Sequence, residues 1–327
     1  MKALVYIAPE QLELRDVPDP TPVSGEHLIR VDSVGICGSD MHAYLGHDER
    51  RPAPLILGHE VAGTVLGGPR DGERVTVNPL VTCGTCPACK AGRDNLCPKR
   101  QIISMMPREG GFAQLLAMPE GNLVAIPDGV STDCAALAEP IACGWHAVRL
   151  ARAATGQAGN ALVLGGGAIG LGAALSLVAQ GVADVTIIEP NETRRAYLAQ
   201  KTSFNCIAPD ALAADQLFDL VIDGVGYAAT RAQASAHARP GGVIAHIGLG
   251  ESSGGLDIRR MTLQEITFIG TYTYTAQDFR DTAQAIFDGR LGPLDWTEPR
   301  ALAQGQAAFA DIRSGMAAAP KIILKPN

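Results

Sequence analysis

Ala161-Leu162-Val163-Leu164-Gly165-Gly166-Gly167-Ala168-Ile169-Gly170-Leu171-Gly172 decides how the second half of this chain folds. The apolar residues 161–164 read as a buried strand, the glycines as a tight turn, and 168–180 as a helix. Gly165, Gly167 and Gly170 satisfy G-x-G-x-x-G in that strand–turn–helix setting. Gly165 permits the turn, Gly167 lets backbone amides approach a pyrophosphate, and Gly170 allows close helix–strand contact. The helix N-terminus then favours the anion. Glu189 ends the next strand, 19 residues after Gly170, where an acid holds a ribose 2′-hydroxyl. A carboxylate there repels a 2′-phosphate, so the expected cofactor is NAD. Arg194 joins the cofactor-binding candidates, and Arg195 follows it. An arginine at this place pairs with a 2′-phosphate, stacks on adenine or faces water.

Outward from the loop, strands and helices alternate. Strands are expected at 185–189, 220–223, 243–247 and 267–270, with helices at 192–202 and 229–237. That alternation implies a parallel sheet covered on both faces. Residues 153–183 carry no charge over 31 positions, long enough to span a bilayer, but eight are glycine. A buried strand–turn–helix accounts for the run, and no membrane partner is expected. Before residue 135 the text differs: short strands at 28–34, 61–66 and 74–77, separated by turn signals, mark a β-rich region. The tail holds a helix at 276–287, a turn at 289–293 and a last strand at 321–324.

The 327 residues are 46% hydrophobic and 19% charged, which suits two packed domains and excludes disorder. The net charge of −7 and the lack of any basic block argue against nucleic acid as a partner. Residues 3–7 read as a short strand before Pro9, without the apolar core and cleavage site of a signal peptide, so the expected location is cytoplasmic.

Cysteine spacing adds a metal. Cys83, Cys86, Cys89 and Cys97 form C-x2-C-x2-C-x7-C, with Gly84, Pro87 and Gly92 letting the loop wrap an ion. Four thiolates close a tetrahedral shell around zinc and leave no open position, which is a structural site. A second pattern is dispersed. Cys37, Ser39, Asp40 and His42 fall within six positions, His59-Glu60 follows, and Glu139 precedes Pro140. One Cys, one His and one Glu bind zinc while leaving room for a substrate oxygen.

Together these motifs resemble the zinc-dependent medium-chain alcohol and polyol dehydrogenases. The matching text is G-I-C-G-S-D-M-H from Gly35, G-H-E-V-A-G-T-V from Gly58, the four-cysteine block, and E-G-G-F-A from Glu109. L-A-E-P-I-A from Leu137, the G-G-G-A-I-G loop, D-L-V-I-D-G-V-G from Asp219 and R-P-G-G-V-I from Arg239 complete it. The resemblance covers nearly the whole chain and implies an α/β architecture: a Rossmann doubly wound parallel sheet plus a GroES-like β-barrel catalytic domain. The barrel would be discontinuous, built by 1–139, with its structural zinc lobe at 83–97, and by 274–327, around a cofactor domain at 140–273.

The resemblance also implies roles. Cys37 and His59 match catalytic zinc ligands, Glu60 a ligand or near-ligand, and Glu139 the third protein position. The Glu139-Pro140 pair is similar to the sorbitol, xylitol and butanediol branch. Whether Glu60 or Glu139 ligates stays open. Asp40 matches an acid that orients the histidine ligand, and Ser39 and His42 match a proton relay. Two zinc ions per chain, NAD, a small alcohol or polyol and a homodimer or homotetramer follow. Phe112 either lines the substrate pocket or fills the core. Cys134, Cys143, Cys206 and His246 receive no role.

The chain departs from the family's pattern in three places. Residues 64–77 are short, 205–219 are short enough to trim one helix, and 302–311 lack the usual acidic helix start. The alternatives are a zinc-free quinone or enoyl reductase on the same fold, and a non-catalytic zinc- and nucleotide-binding protein. Cys37, His59 and the cysteine lobe oppose the first; Ser39 and His42 oppose the second.

Overall fold

The glycine-rich run becomes one crossover of a six-stranded parallel sheet. This is seen in a computed structural model that describes residues 1–156 and 158–327. Asn160–Leu164 forms the first strand and Ala168–Ala179 the helix after it. The strands run Asn205–Ile207, Asp184–Ile188, Asn160–Leu164, Phe218–Asp223, Ala238–His246 and Thr267–Gly270 across the sheet. Every neighbouring pair is parallel. The order reverses at the first strand, so a crevice lies at the carboxyl ends beside the glycine loop. Register places Leu164, Asp223 and His246 side by side at that end.

The chain divides into two units: Met1–Glu139 with Thr275–Gly289 and Thr297–Asn327, and Pro140–Tyr274 with Arg290–Trp296. The second holds the parallel sheet. Between Asn205–Ile207 and Phe218–Asp223 there is only a short turn, Pro209–Ala211, where a full crossover helix would otherwise run. The helix Ala138–Thr155 was not among the helices expected from the sequence. Pro140 sits in its first turn, where the missing N–H costs nothing. Gly144 lies against Ala173: a Cβ there would come 2.5 Å from the Ala173 nitrogen.

The first unit is a β structure. Its main sheet orders Leu123–Ala125, Arg74–Val77, Glu60–Leu66, Glu26–Gly35, Lys321–Lys325 and Thr297–Ala301, with Leu115–Pro119 also paired to Glu26–Gly35. The last strand of the chain thus sits beside one of the first, closing the unit with residues from both ends of the sequence. Val31, Val34, Val61, Val75, Val77, Phe112 and Phe309 fill its core. The helix Gly305–Ser314 forms despite its unpromising start, presenting Ala308 and Phe309 inward. No helix among the described residues is long and apolar enough to cross a membrane.

Candidate active site

The strand Glu26–Gly35 ends just before Cys37, which caps the helix Gly38–Tyr44. The Cys37 N–H donates to Asp40 Oδ2 at 3.0 Å, and the Gly58 N–H donates to Asp40 Oδ1 at 3.1 Å. Asp40 is fully buried and lies 3.4 Å from His59 Nδ1. Burial alone would raise the Asp40 carboxyl, but His59, Arg51 and the Cys37 N–H more than offset it and hold it below the usual range. For His59, burial opposes the imidazolium, yet Asp40 and Cys37 push it well above its usual range. This is a strongly anionic surrounding for one ring nitrogen.

Glu60 opens the strand Glu60–Leu66, opposite Gly35 in the antiparallel ladder. Its Oε1 accepts from Lys321 Nζ at 2.5 Å, whereas Oε2 is buried without any hydrogen-bond partner. Gly35 makes that position possible, since a Cβ there would lie 1.9 Å from Oε2. Ligand atoms of Cys37, His59 and Glu60 fall within 4.8 Å of one another. A thiol, an imidazole and an orphaned buried carboxylate oxygen fit a zinc ion with an open fourth position. Glu139 is buried too but is not in that set.

The relay candidates share a helix. Ser39 and His42 are three residues apart on Gly38–Tyr44, so their side chains lie on one face. Ser39 is half-buried and His42 exposed. Two supports escaped the sequence reading. Arg51, buried in an otherwise charged loop, donates through Nε to the Ser104 carbonyl at 3.0 Å and through Nη1 to Asp48 at 2.7 Å. Its Nη2 lies 3.4 Å from Ser39 Oγ. Ser104, held at φ 68°, places its hydroxyl 3.4 Å from His59 Nδ1. Neither carries a sequence motif. Phe112 belongs to the core: it is 0% exposed, packs edge-on against Phe309 at 6.0 Å and closes over Gly58.

Cys83, Cys86, Cys89 and Cys97 converge as their spacing requires. Their sulfurs are 3.5 Å apart for Cys86–Cys89 and Cys97–Cys83, and 4.0 Å for Cys83–Cys89. These separations are too long for disulfides. They match the edge of a tetrahedron with zinc–sulfur bonds of about 2.3 Å, which is ~3.8 Å. Hydrogen bonds from Thr85 bring the Cys83 thiol down to about 5. Burial and neighbouring sulfurs push Cys89 up to about 12. Four sulfurs competing for protons in this way are a donor set for a soft cation.

In the second unit, Gly165 takes φ 98° and its N–H donates to the Ile188 carbonyl. A Cβ on Gly170 would sit 1.8 Å from the Gly165 oxygen, so only glycine fits that helix–strand contact. Glu189 braces the loop: Oε2 accepts from the Gly166 N–H and Oε1 from the Asn191 N–H, both at 2.8 Å. Arg195 is turned onto the Glu189 and Pro190 carbonyls. The Arg194 guanidinium lies over the loop, 3.8 Å from the Cβ position of Gly167. Burial draws it below its usual range, with Glu189 opposing. Asp223, which the sequence reading passed over, caps the neighbouring loop. It accepts from the Val225 and Gly226 N–H groups, the Thr230 hydroxyl and His246 Nδ1.

With these sites in view, comparison with known proteins is direct. The family model described as "Alcohol dehydrogenase GroES-like domain" matches residues 23–128, and "Zinc-binding dehydrogenase" matches 168–288. The chain is 33% identical over 306 residues to an L-galactonate-5-dehydrogenase of Escherichia coli (strain K12), spanning 89% of this chain and 88% of the relative. It is 35% identical to a sorbitol dehydrogenase of Bacillus subtilis (strain 168), over 84% and 82% of the two chains. Among solved structures, acetophenone reductase from Geotrichum candidum in complex with NAD superposes with a TM-score of 0.87 at 26% identity, over 99% of this chain and 96% of that one.

Proposed function

The chain belongs to the zinc-dependent medium-chain alcohol and polyol dehydrogenases, and on that premise we propose how its own residues divide the work. The reaction is the reversible oxidation of a secondary alcohol or polyol to a ketone. The carbinol carbon gives a hydride to the nicotinamide cofactor, and the hydroxyl gives up its proton. When bound, zinc supplies Lewis acidity toward the alcohol oxygen, and the nicotinamide supplies the hydride acceptor.

Cys37, His59 and Glu60 would hold the catalytic zinc, and Glu139 would stand beside them as the alternative carboxylate. Asp40 fixes the His59 tautomer by keeping the proton on Nδ1, which faces its carboxylate at 3.4 Å, leaving Nε2 as the ligand atom. Ser39 takes the hydroxyl proton and His42, exposed at the helix surface, delivers it to water. Cys83, Cys86, Cys89 and Cys97 would hold a second zinc that stabilises the lobe. The loop at Gly165, Gly167 and Gly170 would take the cofactor pyrophosphate, with Glu189 and Arg194 at its ribose and phosphate edge. Glu189 at the ribose end favours NAD over NADP. A cytoplasmic homodimer or homotetramer belongs to the same reading.

The observation that carries this reading is the Cys37–His59–Glu60 cluster, half-buried at Cys37 and buried at His59 and Glu60, with one carboxylate oxygen that has no hydrogen-bond partner among the described residues. The test is NADH formation across polyols, diols, short secondary alcohols, threonine and sugar acids, with zinc content measured on the same preparation. Zinc-dependent turnover of one such class is expected. Full turnover after complete removal of zinc would overturn the reading.

A further inference from the structure

The last strand carries a buried cation that none of the chemistry above employs. Lys321 opens the strand Lys321–Lys325 and is 3% exposed. Its Nζ donates to Glu60 Oε1 at 2.5 Å and to the Ile36 carbonyl at 2.7 Å. Ile36 precedes Cys37, and Glu60 follows His59. One ammonium therefore ties the backbone leading into the thiol to the carboxylate beside the imidazole. It occupies Oε1 and leaves Oε2 as the only unclaimed oxygen of that carboxylate. Gly35, one residue before the bonded carbonyl, vacates the space Oε2 fills.

Charge points the same way. A thiolate and the Glu60 carboxylate balance one dication, and the buried Glu139 carboxylate outside that set adds one net negative charge. A buried surplus of that kind is unfavourable unless paired. Lys321 is buried, bonded to Glu60 and to the carbonyl just before Cys37, and Glu139 lies within electrostatic reach of it, so its charge offsets that surplus.

Resting on the metal-centre reading above, we propose that Lys321 is a positioning residue of that centre. It fixes Glu60 and the Cys37 backbone so that one carboxylate oxygen remains available to the metal, and it neutralises the anionic donor set. A residue of this kind orients ligands without touching the ion, and losing such a partner weakens metal binding about ten- to a hundred-fold.

The experiment titrates zinc-loaded protein with a chromophoric chelator and follows unfolding temperature in parallel. Lys321→Met should weaken the Cys37–His59 site about ten- to a hundred-fold while the four-cysteine lobe keeps its zinc. In a Glu60→Gln background the same change should cost several-fold less affinity than in wild type, because the share that passes through Glu60 is already gone. Lys321→Arg, which keeps charge and donors, should recover most of the affinity. A lysine that merely braces the strand would lower unfolding temperature equally in both backgrounds and leave zinc affinity intact. That result, or equal affinity losses in both backgrounds, overturns the proposal. Should Lys321→Met fail to fold, Lys321→Gln retains a donor for the carbonyl, and wild-type affinity in it would be equally fatal. Failure of the metal reading looks different: wild type would hold only the lobe's zinc and Cys37→Ser would change nothing, and the proposal would fall with it.

Discussion

Gly35→Ala should empty the catalytic metal site without altering any ligand. Gly35 is buried at the end of its strand, and its backbone is one that alanine adopts freely. The perturbation is therefore purely steric. The added Cβ would stand 1.9 Å from Glu60 Oε2 and 3.0 Å from Glu60 Cδ. Contact between a methyl carbon and a carboxylate oxygen needs well over 3 Å, so Oε2 must move by about 1 Å or more. A zinc–oxygen bond is about 2.0–2.2 Å long, and a displacement of that size removes the oxygen from the coordination sphere. The same motion pulls Oε1 from Lys321. Overpacking of this kind costs about 1–3 kcal/mol in stability, which a two-domain chain survives. Loss of a Lewis acid worth several kcal/mol lowers turnover roughly a thousandfold or more. The assay is zinc per chain by elemental analysis, turnover with the best alcohol found, and thermal unfolding. A folded Gly35→Ala protein with full zinc and near-wild-type turnover would refute the argument that Glu60 Oε2 is the metal-facing atom.

Further expectations follow from the same structure. Glu189→Ala should narrow the preference for NAD over NADP in steady-state kinetics. It should also loosen the loop, because the Gly166 and Asn191 N–H groups lose their acceptor. A wild-type preference for NADP would show that Arg194 governs instead. His42→Ala should keep its zinc and lose about ten- to ten-thousand-fold in rate, with partial recovery at high pH where hydroxide accepts the proton. Burial raises the Asp223 carboxyl, but His246 and the Gly226 and Val225 N–H groups prevail and hold it below the usual range. Its stabilisation is thus present above the unfolded carboxylate value of about 3.9 and is lost as pH falls through the lower folded value. The gap in unfolding temperature between wild type and Asp223→Asn should shrink as pH drops from about 6 to about 3; a constant gap contradicts this.

The parts of this molecule that can be read from sequence are those whose chemistry is local. Gly165 to Gly170 must fit one turn, so their spacing declares the turn, and the strand–helix alternation after it declares the parallel sheet. The four cysteines lie close in the chain, so a single loop brings their sulfurs together. The cluster of Cys37, His59 and Glu60 was legible only as fragments. Cys37, Asp40 and His59-Glu60 stand in recognisable contexts, but nothing in their spacing says that Glu60, not Glu139, joins the compact donor set. Lys321 was invisible because it lies 261 residues from Glu60, brought there by the final strand entering a sheet begun near the N-terminus. Arg51 lies in a charged stretch and Ser104 in no motif, so neither was singled out. Only folding buries the first and puts the second beside His59. The helix Ala138–Thr155 was not read from the sequence; it accommodates Pro140 in its first turn and Gly144 at a tight contact with Ala173.

The zinc content of three proteins, measured side by side with their turnover, tests the proposed metal centre most directly. Wild type should hold about two zinc ions per chain, one in the closed lobe and one in the open site. Cys37→Ser should hold about one and be nearly inactive while unfolding close to the wild-type temperature. Cys89→Ser should lose the other ion together with thermal stability. Two zinc ions and substantial turnover in Cys37→Ser would contradict the claim that Cys37, His59 and Glu60 form the catalytic metal centre.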